Sequence, residues 1–299
     1  MIPTFSPMLA VAGDPFDSNQ HLFEVKWDGV RALACIENHQ WRLWGREEAD
    51  YTDRYPELDV LLHMPSGTVL DGELVVLREG RAELSAILRR HQLTSARKIK
   101  QASRQLPVTY ILFDCLYHQG QTLLDQPLSA RRKVLAELVE STPGSPLAFS
   151  DGVTGSGEKF FDQVVEQGHE GVMAKQLDSP YLPARRATTW RKIKPRLTTV
   201  CVIIGYTPGR EGFSSLLVAT LRENGLRYVG QLTSGFTRQQ RTQLASVLIP
   251  SQSAKPAVAC PKRAIWVTPR LYCEVQFLAW TANGRLRGAS FGRLIDTDN

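Results

Sequence analysis

The sequence predicts an α+β fold in two domains, with antiparallel sheets and helices over residues 1–196 and a small closed β-barrel over 197–299. Three observations lead to that expectation. The chain has 299 residues, a length that suits about two domains. Before Pro195, strand-like runs of period two are interspersed with short helical segments. After Pro195, about five strands surround one helix, an element count that suits a small barrel.

The first domain is organised around Glu24-Val25-Lys26-Trp27-Asp28-Gly29-Val30-Arg31, between the strand-like His21-Leu22-Phe23 and Ala32-Leu33-Ala34-Cys35-Ile36. Gly29 relieves the backbone where a side chain would restrict the turn. A lysine attacks only as the neutral amine, and nearby cations or desolvation favour that form. By itself, Lys-x-Asp-Gly also fits a hairpin with surface salt bridges. Asp53 is expected to cap a short helix carrying Pro56 in its first turn. Thr68 to Leu77 reads as a strand interrupted by Asp71-Gly72. The Asp71/Glu73 pair there is either solvated on an edge hairpin or buried with a cation or metal.

A short helix follows at 83–91, and then a basic stretch from Arg89 to Arg104, including Arg90, Arg97, Lys98 and Lys100. That stretch is a solvated face or a contact for phosphate backbone. Val108 to Tyr117 is a buried strand, with Phe113 in its core run. Ser129 is expected to cap a helix through about Val139, and Gly168 to stop another over 157–167. Glu170-Gly171-Val172-Met173-Ala174-Lys175 puts an acid at the mouth of a strand. In Trp190-Arg191-Lys192-Ile193-Lys194, alternation places Lys192 and Lys194 on one face, where an anion such as phosphate would relieve their repulsion. In the second domain, a Glu223-Asn224-Gly225 turn joins two strands and Thr237 caps the helix.

Hydrophobic content of 42% and charged content of 22% suit a soluble protein with a sizeable core. The net charge of +6 is compatible with a polyanionic partner. Five scattered cysteines without Cys-x-x-Cys spacing argue against a zinc site or a disulfide framework. No apolar run reaches membrane-spanning length, so no membrane association and a cytoplasmic enzyme or binding protein are expected.

Taken in order, these stretches resemble the nucleotidyltransferase motifs of ATP-dependent DNA ligases. Lys26-Trp27-Asp28-Gly29-Val30-Arg31 is similar to their Lys-x-Asp-Gly-x-Arg motif. Asp71-Gly72-Glu73, Phe113-Asp114-Cys115-Leu116-Tyr117, Glu170 to Lys175 and Trp190 to Lys194 are similar to the later ones. The resemblance covers nearly the whole chain and is closest to the ligase modules of bacterial end-joining ligases and their small relatives. Pro7-Met8-Leu9-Ala10 and Gly284-Arg285-Leu286-Arg287 match that group too. It implies an adenylation domain followed by an OB-fold domain.

The resemblance further implies that Lys26 carries AMP as a phosphoramidate drawn from ATP. Lys192 and Lys194 would hold the α-phosphate, with Lys175 beside them. Glu73 and Glu170 would bind Mg2+. Glu24, with Val25, would read the adenine; Phe113 and Met173 would flank it; Arg31 and Arg46 would contact ribose and phosphates. Nicked double-stranded DNA is the implied partner of a monomer, with Arg89, Arg97, Lys98, Lys100, Arg185 and Arg186 as its backbone contacts. RNA ligases and capping nucleotidyltransferases share the Lys-x-Asp-Gly core, and a degenerate homologue that only binds DNA is a further alternative. The tail departs from the family: Ile295 and Asp298 stand where an Arg and a Lys orient pyrophosphate, and Arg293 lies two residues away.

Overall fold

The computed structural model describes residues 4–45, 49–142, 146–209, 212–223, 225–277, 279–281 and 283–295. The chain divides into two compact units, Met1–Lys194 and Pro195–Asn299. The division falls two residues before the boundary read from the sequence.

The first unit holds two principal sheets. In one, the strands Leu9–Gly13, Arg186–Ile193, Val172–Gln176, Ser18–Val25 and Gly152–Gly155 lie side by side in that order. In the other, the order is Leu147–Phe149, Thr109–His118, Thr68–Val75, Val30–Glu37 and Gln40–Trp44. Alternation along each strand feeds different cores. Ala32, Ala34 and Ile36 join Leu70, Leu74, Tyr110 and Leu112 in a cluster that also takes in Ile87 and Leu135 of two helices. Leu33 points the other way, into a cluster with Val69 and Phe113 of its own sheet and Trp190 of the opposite sheet. Phe113 and Trp190 meet edge to face, centroids 6.3 Å apart. On the first sheet, Phe23, Val172, Ala174 and Ile193 pack against Val164 of the helix Gly157–Glu166. Their sequence neighbours Glu24, Met173, Lys175 and Lys192 therefore face the space between the sheets.

Several local expectations give way to tertiary structure. The Lys26 stretch is not a hairpin, because the strands on either side of it belong to different sheets. Asp71-Gly72 does not interrupt its strand. Thr68–Val75 runs through it, with a register shift against Thr109–His118, and is flanked by strands on both sides. Asp53 caps nothing: it sits inside a short 3-10 turn, and Pro56 opens a second one, Pro56–His63. Ser129 lies inside the helix Leu128–Glu140, whose first amides, of Leu128 and Ser129, are satisfied by the carbonyls of Ser179 and Leu177. A neighbouring loop thus supplies what a capping side chain otherwise would.

In the second unit, the long strand Leu197–Gly209 pairs with Gly212–Arg222, Tyr272–Phe277 and Ile265–Val267. Gly225–Leu232 extends one side and Ser290–Ile295 the other. Among the described residues no ladder closes the ring. Phe291 N–H donates to Ser234 O at 2.9 Å and draws the last strand towards the end of Gly225–Leu232. The helix Arg238–Leu248 starts at Thr237, which with Gln240 forms a reciprocal capping box, and buries Leu244 and Leu248. Asn224, named in the sequence reading of the turn, lies outside the described residues. The cysteines are free, and burial pushes the Cys201 and Cys273 thiols up to about 12. No helix among the described residues is long and apolar enough to cross a membrane.

His21, His91 and His118 are held below the ordinary imidazole range, first by burial; Arg191 adds to this at His21 and Arg54 at His91. The unfolded chain then binds protons more readily than the folded one, so stability rises with pH through that range. The melting temperature should therefore fall on going from about pH 7 to about pH 5. Thermal scans across that window check this, and a flat profile would contradict it.

Candidate active site

A cavity opens between the two sheets of the first unit. Glu24, Met173, Lys175, Trp190 and Lys192 line it from the first sheet, and Arg31, Glu73 and Phe113 from the second. Lys26 stands on the crossing between sheets and lines the cavity together with Val25 and Trp27. Its backbone N–H donates to Gly171 O at 2.8 Å, tying the crossing to the start of Val172–Gln176. Two glycines permit this approach. A side chain at Gly29 would strike Leu74 O, and one at Gly171, where φ is +140°, would strike Ile193 O. Gly29 is thus required by close packing, whereas the sequence reading assigned it to a turn.

One end of the cavity is built on Glu24, which is 1% exposed. Arg132 Nη1 donates to one of its oxygens and Lys175 Nζ lies 2.5 Å from the other. Lys175 also sits 4.1 Å from the Phe113 ring centroid and 4.5 Å from that of Trp190. Burial lowers the pKa of Lys175, against the pull of Glu24. The sequence reading grouped Lys175 with Lys192 and Lys194; the structure pairs it with Glu24. Trp190 is 1% exposed, and its indole N–H has no hydrogen-bond partner among the described residues.

Glu170 and Lys194 lie outside this lining and meet it through Lys26. Both lysines donate to Glu170, one to each carboxylate oxygen. Burial would raise the Glu170 carboxyl, but hydrogen bonds and charge from the two lysines outweigh it and hold the pKa below the usual range. Asp28 is shifted the opposite way, by burial and by the Glu170 charge. Lys26, Asp28, His169 and Glu170 together line a second recess. Lysines and carboxylates concentrated in this way can hold a phosphate chain and a hard cation.

Arg31 is fixed from below. Nε and Nη2 each donate to Asp71 at 2.6 Å, and the guanidinium lies 4.6 Å from the Phe113 ring centroid. Burial alone would lower its pKa, but the Asp71 carboxylate reverses the direction. Asp71 is completely buried and also accepts from the Tyr181 hydroxyl at 2.6 Å; that hydroxyl in turn accepts from Met8 N–H at 2.9 Å.

The remaining expected residues are dispersed. Arg46 and Asp298 lie outside the described residues. Arg97, Lys98 and Lys100 are exposed on the helix Ala96–Gln105, whose one buried residue is Ile99. Arg89 lies 3.8 Å from Glu83, and Arg90 of the same basic stretch turns inward onto Glu57 at 2.9 Å. Arg185 is exposed, and Arg186, also exposed, reaches the rim of the cavity. In the second unit, Arg293 sits 3.6 Å from Glu274.

Arg132, Tyr181 and Trp190 were not singled out by sequence reasoning. A signal for Arg132 existed. Leu128, Arg131, Arg132, Leu135 and Leu138 share the buried stripe of one helix, so two arginines stand where apolar residues are expected.

Residues 7–194 match the family model described as "ATP dependent DNA ligase domain", and residues 209–297 match "ATP dependent DNA ligase C terminal region". Among curated relatives, the chain is 31% identical over 301 residues to the "Multifunctional non-homologous end joining protein LigD" of Mycolicibacterium smegmatis. That match covers 96% of this chain and 38% of the relative, so the chain spans well under half of it. Among solved structures, it is similar to the ligase domain of LigD from M. tuberculosis, with a TM-score of 0.59 and 31% identity. The match covers 99% of this chain and 96% of that one. It is also similar to a mycobacterial DNA ligase D complexed with ATP and MES, with a TM-score of 0.54, 31% identity and the same coverage.

The Arg31 anchorage yields a direct test. Tyr181→Phe removes the hydroxyl that serves both buried Asp71 and Met8 N–H, and should destabilise the fold by about 1–3 kcal/mol. Chemical denaturation of the two proteins measures it. A change within error would show that Asp71 relies on Arg31 alone.

Proposed function

The chain belongs to the ATP-dependent DNA ligase family, and on that premise we propose that it seals nicks in duplex DNA in a repair or replication setting. Lys26 Nζ, once deprotonated, bonds to the α-phosphorus of ATP as the bond to pyrophosphate breaks. AMP then passes to the 5′-phosphate of the nick, and the 3′-hydroxyl displaces it. The observation that carries this reading is the position of Lys26. It stands at the joint of a two-sheet cavity, with Glu170 and Lys194 beside it and Lys192 on the wall. Each step is a transfer at phosphorus, in which positioning and charge neutralisation supply most of the catalysis.

The adenine belongs at the Glu24 end, against Phe113 and Met173. In this reading Lys175 supports the base end and is not a phosphate ligand. Lys192 and Lys194 take the α-phosphate, and Arg31 the ribose and phosphates. Glu73 and Glu170 provide hard oxygen donors beside Lys26. Among the described residues, no cluster of three His, Cys, Asp or Glu forms a metal cage. That composition fits Mg2+, which keeps its waters and takes part of its shell from substrate phosphates. When bound, Mg2+ would neutralise phosphate charge.

The first unit is the adenylation domain and the second the OB-fold domain in this reading, and the protein works as a monomer. The exposed Arg89, Arg97, Lys98 and Lys100, with Arg185 and Arg186, supply contacts to DNA phosphates.

Lys26→Ala should abolish the covalent AMP adduct seen by intact-mass spectrometry after incubation with ATP and Mg2+, while leaving the thermal transition in place. An adduct retained on the variant would remove Lys26 from the nucleophile role. For DNA, replacing both Lys98 and Lys100 with Ala should weaken nick binding and lower the slope of log affinity against log salt by roughly two. Fluorescence titrations at several salt concentrations measure that slope, and an unchanged one would move the DNA contact off this helix.

A further inference from the structure

Arg132 does not line the cavity, yet it touches three groups that do. From the buried stripe of Leu128–Glu140 its Nη1 donates to Glu24 and, at 3.4 Å, to Phe113 O. Its Nη2 donates to Ser150 O at 2.7 Å. The guanidinium lies 4.4 Å from the Phe149 ring centroid. Glu24 comes from one sheet and Phe113 from the other, and Ser150 links the strands Leu147–Phe149 and Gly152–Gly155, one in each sheet. One planar fork therefore spans both walls of the base end.

We propose that Arg132 is a positioning residue for nucleotide selection: it holds Glu24, the Phe113 peptide and Ser150 at fixed mutual distance, so that discrimination between adenine and other bases depends on a side chain outside the cavity. This rests on the reading of Glu24 as the group that senses the base. The chemistry favours arginine here. A guanidinium delivers several donors in a fixed plane, whereas an ammonium is a point charge on a flexible stem. Lys175 alone would leave Glu24 with one cation and one degree of rotation about it. Arg132 removes that freedom, and a site whose polar groups are held rigid rejects a base that cannot match them.

The test is covalent attachment of the corresponding nucleoside monophosphate to the full chain, measured with ATP, with GTP and with purine riboside triphosphate, which lacks the 6-amino group. Arg132→Met should raise the ATP concentration for half-maximal labelling by about tenfold or more, with a smaller change for the other two nucleotides. The preference for ATP therefore shrinks. Arg132→Lys, which keeps the charge and loses the fork, should fall between wild type and Arg132→Met. Equal losses for all three nucleotides would be a purely structural effect and overturn the proposal. If Arg132→Met shows no cooperative melt, Arg132→Lys decides: an unchanged preference overturns the proposal and a reduced one supports it.

Glu24→Gln separates the two readings. If it erodes the ATP preference while Arg132 substitutions do not, the Glu24 reading stands and the Arg132 inference falls. If the Arg132 variants lose preference and Glu24→Gln does not, selection runs through Phe113 and Ser150, and the Glu24 reading falls instead. If neither site changes the preference, both fall.

Discussion

Glu24, buried between Arg132 and Lys175, is the interaction around which the first unit is arranged. A carboxylate removed from water is costly unless cations and hydrogen bonds replace the lost hydration. Two cations meet it, and each brings a piece of structure. Lys175 fixes the face of the neighbouring strand and rests against Phe113 and Trp190. Arg132 fixes the helix Leu128–Glu140. The adjacent Arg131 on that helix pairs with completely buried Asp114 through bonds of 2.7 and 2.9 Å, and its guanidinium lies 5.8 Å from the Tyr181 ring centroid. Tyr181 then reaches Asp71, and Asp71 reaches Arg31. The walls of the cavity are thus held by a chain of paired buried charges, and removing one member leaves its partner unpaired in a low-dielectric space.

That arrangement separates two kinds of cation. Lys175, Arg131 and Arg132 are buried and committed to carboxylates of the framework. Lys26 and Lys194 are partly exposed and share one carboxylate, Glu170. A partly exposed pair is weak and exchangeable, whereas opening a buried one strands a charge away from water. The exchangeable cations gather at Glu170, and the fixed ones at Glu24 and Asp114. Val172–Gln176 and Arg186–Ile193 run antiparallel, so Lys175 lies opposite Trp190 and Met173 opposite Lys192, while Glu170 and Lys194 lie just beyond the strands' adjoining ends.

The second unit obeys a simpler rule. Its core is apolar, built from alternate residues of Leu197–Gly209, Gly212–Arg222 and Tyr272–Phe277 and closed by Leu244 and Leu248 of the helix Arg238–Leu248. Ser290–Ile295 enters this unit as an ordinary strand: Arg293 stands opposite Glu274 in the register.

The sequence by itself determined much of this protein. The order of its motifs identified the family. Alternation placed Lys192 and Lys194 on one face, of which Lys192 lines the cavity and Lys194 meets Glu170, and Thr237 marked the helix start, because a cap is settled within a few residues. What the tertiary structure decided involves residues far apart along the chain. Lys26 meets Glu170 across 144 positions, and Glu24 meets Arg132 across 108. The family resemblance puts Lys175 beside Lys192 and Lys194, and the fold pairs it with Glu24. Ser129 reads like a cap until a loop at 177–179 supplies the missing acceptors. Asp71-Gly72 reads like a break until flanking strands bury it beside Arg31 and Tyr181. Local pattern fixes which way a side chain points; which partner waits there depends on the burial of apolar surface elsewhere, which brings distant strands together and obliges every charge between them to find a counter-charge.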